Sequence, residues 1–220
     1  MRIPFSTGEF LAVFRAYNEA VWPAQVVLYA LGVALVLVAL RGRRPLARWL
    51  VPGGLTVLWA WMAGVYHWRF FAEINPAAPL FAGLFLLQAL LWLLWARREP
   101  ALGFRPETTA RRLVGGGLLG YALLAYPLLN IVSGHGYPAM PTFGLPCPTT
   151  IATFGLLAWG EPRPPWYVWL VPVAWALVGT SAAFALGVHE DLGLAAAAVL
   201  AGAVHLRPRR EVAPPRGTPG

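Results

Sequence analysis

The 220-residue chain contains no lysine, and all 17 of its basic residues are arginine. That absence removes every chemistry that needs a side-chain amine, including Schiff bases to retinal, pyridoxal phosphate or a carbonyl substrate, and so excludes a seven-helix photoreceptor. A single cysteine, Cys147, rules out an internal disulfide and a four-sulfur zinc site. Charge is scarce too, at 12% of residues against about a quarter in a soluble domain. The N-terminal stretch carries Glu9, Arg15, Asn18 and Glu19 and lacks a continuous apolar core, so it does not read as a cleavable signal peptide.

What the chain has is apolar surface: 58% hydrophobic residues and a mean hydropathy of +0.60. This composition reads as a membrane protein. A bilayer core about 30 Å thick needs roughly 20 apolar helical residues. Five stretches meet that length: Val21 to Leu40, Leu50 to Tyr66, Leu80 to Ala96, Leu113 to Val132 and Trp166 to Leu186. Two more, Thr149 to Trp159 and Leu192 to Leu206, are short. Loops after the first, third, fifth and seventh stretches hold fourteen of the 17 arginines, and the other side keeps only Arg2, Arg15 and Arg69. The positive-inside rule then predicts an outside N-terminus and a cytoplasmic C-terminus. That asymmetry requires an odd number of spans and so retains both short helices. The net charge of +8 is thereby topological, and no nucleic-acid partner is expected; the partner is the lipid bilayer.

The fold class predicted is all-α: a polytopic transmembrane bundle of seven spans over residues 21–206. An amphipathic interfacial helix within residues 1–20 precedes it, and a disordered cytoplasmic tail over 207–220 follows. Ser6 and Glu9 have capping-box spacing and Phe5 and Phe10 that of a hydrophobic staple, so a helix starts there and lies on the outer surface. Asn75-Pro76-Ala77-Ala78 with Gly83-Leu84, and Cys147-Pro148-Thr149-Thr150 with Gly155-Leu156, repeat one punctuation at a spacing of 72 residues, which suggests a parallel repeat of helical hairpins. Gly115, Gly116, Gly117, Gly120 and the run Ala195 to Ala198 read as close helix packing.

Unusual polar residues gather at the outer ends of the predicted spans. In the segment Tyr66 to Pro76, Arg69 and Glu73 have the spacing of a helical ion pair. The alternative sets His67 and Glu73 in an outer cavity as a ligand or proton-transfer pair. Asn75 reads as a helix N-cap with Pro76 following. Residues 133–150 are too rich in proline and glycine for a regular helix, so this loop is expected to dip into the membrane against protein or a wet cavity. Pro148, Thr149 and Thr150 would open a deep helix whose N-terminus converges with that of the helix after Asn75, which favours a small anionic solute or ion. Asp191 can cap the final helix, or hold an ion or a proton. The ligand-binding candidates are therefore His67, Glu73, Asn75, His135, Cys147, Thr149 and Asp191. His67, His135 and Cys147 would also make a soft ligand set for zinc or copper, although neither His-x-x-x-His nor Cys-x-x-Cys occurs and no cofactor is expected by default. Pro127, Pro146, Pro148 and Pro172 mark helix breaks.

The stretches Tyr17-Asn18, Tyr66-His67, Phe70 to Ala78, Gly134 to Pro138, Pro141 to Thr150 and Asp191 to Leu194 together resemble a family of bacterial integral membrane proteins known only as a domain of unknown function. The resemblance covers residues 4 to about 205, and its Pro-Cys-Pro stretch is specific. It implies a small polytopic inner-membrane protein and no activity. Three functions fit: binding and transport of a small solute or ion through an outward polar cavity, a membrane-embedded metal-dependent hydrolase or metal-handling protein, or a passive assembly subunit without ligand. The protein is more readily a non-enzyme, and the sequence leaves its oligomeric state open.

Overall fold

The structure, a computed structural model, describes residues 4–41 and 44–207; the expected tail lies outside them, apart from Arg207. Nine α-helices are described: α1 (Thr7–Ala20), α2 (Ala24–Arg41), α3 (Arg44–Trp61), α4 (Ala78–Arg98), α5 (Thr109–Gly120), α6 (Tyr126–Val132), α7 (Pro146–Trp159), α8 (Leu170–Leu186) and α9 (Gly193–Leu206). Among the described residues there is no strand, only isolated bridges such as that between Gly103 and Glu161. Five helical runs are long and apolar enough to cross a membrane: Ala24–Arg41, Pro45–Glu73, Ala78–Arg98, Thr109–Val132 and Trp166–Leu186.

Two of those runs change pitch on the way. After α3 the chain continues as a π-helix over Met62–Phe70 and a 3-10 turn over Phe71–Glu73. The wider π winding buries the adjacent residues Tyr66 and His67 together, along with Met62 and Ala63. Between α5 and α6 a second π segment, Tyr121–Ala125, precedes Pro127. Proline has no N–H to give the carbonyl four residues back, and the freed Leu123 oxygen accepts the Tyr29 hydroxyl instead. The other prolines expected to break helices lie in first turns, where they are tolerated: Pro146 and Pro148 in α7 and Pro172 in α8.

Helix α7 is the axis of the molecule, and all 14 of its residues are buried. It has no charged side chain on any face, and its only polar side chains besides the Cys147 thiol and the Trp159 N–H are three threonine hydroxyls, as suits a helix enclosed by other helices. It crosses α5 at Gly115 and Gly155, where a Cβ on either would stand within 3.0 Å of the other's carbonyl oxygen. Gly117 and Gly120 make no such approach, so of the four glycines read as packing residues Gly115 carries the crossing. The C-terminal carbonyls of α7 are satisfied from the side. Arg111, 4% exposed, donates through Nε to Ala158 O at 2.9 Å and through Nη2 to Gly160 O at 2.6 Å, and it pairs with buried Glu161. One of the arginines read as a topology signal therefore also caps the central helix.

The opposite end carries α1. The capping box is formed, with the Ser6 N–H and hydroxyl donating to Glu9 Oε2 at 2.7 and 2.8 Å, and these bonds hold the Glu9 carboxyl below its ordinary pKa. Its apolar face lies on protein: Phe10, Val13, Phe14 and Tyr17 pack with Tyr66, Phe71, Leu145 and Val188. Asn18, fully buried, pins the loop before α7 by donating to Pro138 O and Met140 O at 2.7 and 2.8 Å and accepting from the Thr142 hydroxyl at 2.9 Å. The last residues of that loop, from Met140 to Leu145, are mostly buried among the helices. Gly144 has φ +96°, and a Cβ there would come within 2.5 Å of Leu28, so glycine is required. The two stretches related by 72 residues differ locally. Asn75 precedes its helix by a turn, whereas Cys147 already lies inside α7.

Candidate functional site

At the α1 end lies a cavity of about 420 Å³, within the range of small-molecule sites, about 300–1,000 Å³. Phe10 and Phe14 come from α1, Tyr66 and Phe71 from the run after α3, Phe81 from α4 and Trp175 from α8. At its polar end stand Cys147, in the first turn of α7, and Asp191, in the 3-10 turn His189–Leu192. The exposed lining residues Pro4, Pro76, Val178 and Ser181 mark its mouth, with Phe5, Asn75, Ala77 and Ala182 half-buried beside them.

Asp191 is 3% exposed and is the only aspartate in the chain. It accepts the hydroxyl of buried Tyr126, and the Cys147 thiol lies beside it. Burial raises its pKa from 3.8 to about 6; the hydrogen bonds from Tyr126 and Cys147 pull it back down, and the negative charge of Glu190 pushes it up. Capping is not its role: α9 opens on Leu192 without a side-chain cap. Glu190, also buried, meets His135 Nδ1 at 3.1 Å, and its carbonyl accepts the Tyr121 hydroxyl at 2.8 Å. Tyr126 lines a second cavity of about 380 Å³, bounded by Gln25, Tyr29 and Phe143 and sharing Pro141 with the first as a lining residue.

The other predicted residues separate. His67 is fully buried in an aromatic box, with ring centroids 4.4 Å from Phe85, 5.1 Å from Tyr66 and Trp175, and 5.8 Å from Phe81. Among the described residues, neither of its ring nitrogens meets a donor or acceptor. Glu73 pairs with Arg69 at 2.9 Å on the exposed surface, as the i, i+4 spacing predicts, and away from His67. Asn75 is at the cavity mouth, but the N-cap of α4 is Ala77; Asn75 caps the turn before it, its Oδ1 accepting the Ala77 N–H at 3.0 Å. Thr149 is turned away from the cavity and accepts the Gly144 N–H at 3.0 Å. Among the described residues no group of three or more His, Cys, Asp and Glu side chains could hold a metal ion, so His67, His135 and Cys147 are not assembled as a ligand set. His67 faces rings and His135 faces Glu190.

Of the predicted residues, the cavity gathers Cys147, Asp191 and Asn75. Sequence reading missed Tyr126, Trp175 and the aromatic wall. The pairing of Tyr126 with Asp191 spans 65 positions, and no local spacing could reveal it.

Residues 7–213 match DUF6064, a family of unknown function. The chain belongs to that family. No curated protein and no solved structure matches it. Membership agrees with the resemblance read from the Pro-Cys-Pro stretch, which in this family member opens the central helix and lines the cavity through Pro146 and Cys147.

Proposed function

We propose that the protein spans a bacterial plasma membrane seven times, N-terminus outside and C-terminus in the cytoplasm, and binds a small solute in a cavity facing outward. The topology is supported by the five long apolar runs together with the arginine asymmetry. Helices α7 and α9, of 14 residues each, are about 21 Å long at 1.5 Å per residue. Enclosure of α7 by protein lets so short a helix lie within the bilayer, with the loop before it dipping inward.

The observation that carries the binding reading is the cavity itself: about 420 Å³ of aromatic-walled space ending on a buried carboxylate. Buried acids in membrane proteins generally mark ligand or ion sites. Transport of the bound solute is the second reading, favoured by a further cavity that shares Pro141 with the first, with the Tyr126–Asp191 hydrogen bond joining a lining residue of each.

A thermal-shift screen of the full chain in detergent against small, mainly apolar compounds tests the binding reading, with Ala182→Trp as the variant that fills the mouth. Hits that raise the native midpoint and lose their effect in the variant are expected. A panel without hits, or hits indifferent to the variant, contradicts the reading.

A further inference from the structure

We infer that the cavity's ligand is a monovalent organic cation with an apolar body, held by the aromatic faces and by the Asp191 carboxylate. This rests on the cavity being a binding site, and it names the class of molecule that site takes.

Two features of the lining select a cation. The first is the wall. Phe10, Phe14, Tyr66, Phe71, Phe81 and Trp175 all border the space, and ring faces attract a cation within about 6 Å of their centroids, more strongly where water is excluded. The second is the unpaired anion. Asp191 is buried, yet among the described residues no arginine or histidine forms an ion pair with it. Among the described side chains, the titratable groups around it are Tyr66 from the run after α3, Tyr121 and Tyr126 from the run joining α5 to α6, Cys147 from α7, and Glu190 next to it in the chain. Each of these is neutral or, when ionised, negative. Of the histidines whose side chains are described, His135 pairs with Glu190. Helix α8 has no titratable side chain, and the only one in α9, His205, packs on Trp169. Burial of a carboxylate without a counter-charge is costly, and a bound cation removes that cost.

The same geometry disfavours the anion predicted from converging helix ends. Both N-termini do border the cavity, through Asn75 to Ala77 and through Pro146 and Cys147. Their donors are largely committed: the Ala77 N–H goes to the Asn75 side chain, the Ala78 N–H to the Asn75 carbonyl, and Pro146 and Pro148 have no N–H. An anionic solute would meet Asp191 instead.

Benzyltrimethylammonium and its neutral carbon isostere 2,2-dimethylpropylbenzene, titrated against the full chain in detergent, test the inference. Native protein is expected to bind the cation about tenfold or more tightly than the isostere. Cation affinity, and not isostere affinity, is expected to weaken about tenfold per pH unit once protons compete for the carboxylate. Asp191→Asn should lose the preference while still binding the isostere; if that variant does not fold, the native pH series decides alone. Equal, pH-independent affinity for both compounds overturns the cation inference and leaves the binding reading standing. Binding of neither overturns both.

Discussion

At Asp191 the fold sets a carboxylate almost wholly out of bulk water, with hydroxyl and thiol neighbours and no cation among the described side chains. Burial is the largest influence on its proton, raising the pKa to about 6. The folded state thus holds the proton more tightly than the unfolded chain does. The resulting stability is fully present below the unfolded pKa near 3.8 and is lost as pH rises through about 6. The ligand-free protein should therefore lose about 3 kcal/mol between pH 3 and pH 8 from this group. Its thermal midpoint in detergent should fall across that window, and Asp191→Asn should flatten the fall and be the more stable protein at pH 8. A midpoint in the variant that falls as steeply as in the native chain contradicts this assignment. His67 teaches a different lesson at the same scale. Its sequence setting suggested a ligand, but its ring packs edge-on against aromatic neighbours as a phenylalanine would.

Among the elements, α7 organises the rest, and its two ends are held differently. The N-terminal end depends on the loop that Asn18 pins, with Gly144 and Thr149 closing the entry. At the C-terminal end the helix depends on Arg111, which satisfies two carbonyls and neutralises Glu161. Arg111→Gln leaves Glu161 buried without that partner, and removing one member of a buried pair costs about 3–5 kcal/mol. The expected fall in thermal midpoint is about 10 °C, while the exposed neighbour Arg112→Gln should change little. Much of this level was legible in the sequence: the capping box of α1, the position of every long apolar run, and the proline-rich entry to α7 all follow from local spacing. The π segments were not, because their cause is tertiary: the Tyr66 and His67 side chains turn inward together only where an aromatic box receives both. The caps expected at Asn75 and Asp191 failed for a related reason. At Asn75 the helix starts a turn later, and at Asp191 a distant hydroxyl claims the side chain.

For the whole molecule, composition and arginine placement lead to a membrane bundle with two unlike ends, and the structure furnishes them with different contents. The arginine-rich end is closed by backbone hydrogen bonds between Gly103, in the loop after α4, and Glu161, and by the Arg111 guanidinium of α5, which bonds the end of α7. At the arginine-poor end lies the cavity, roofed by α1. The aromatic wall was invisible beforehand because its members come from four separated elements, each reading singly as interfacial or core. Cys147, the only thiol, lines the cavity. Alkylation of Cys147 by a small, membrane-impermeant thiol reagent added to sealed spheroplasts, with and without saturating benzyltrimethylammonium, is the most direct test of an outward ligand site. The account predicts labelling from outside that the cation slows in proportion to its occupancy. Labelling only after the cytoplasmic face is opened, or at a rate the cation leaves unchanged, would contradict it.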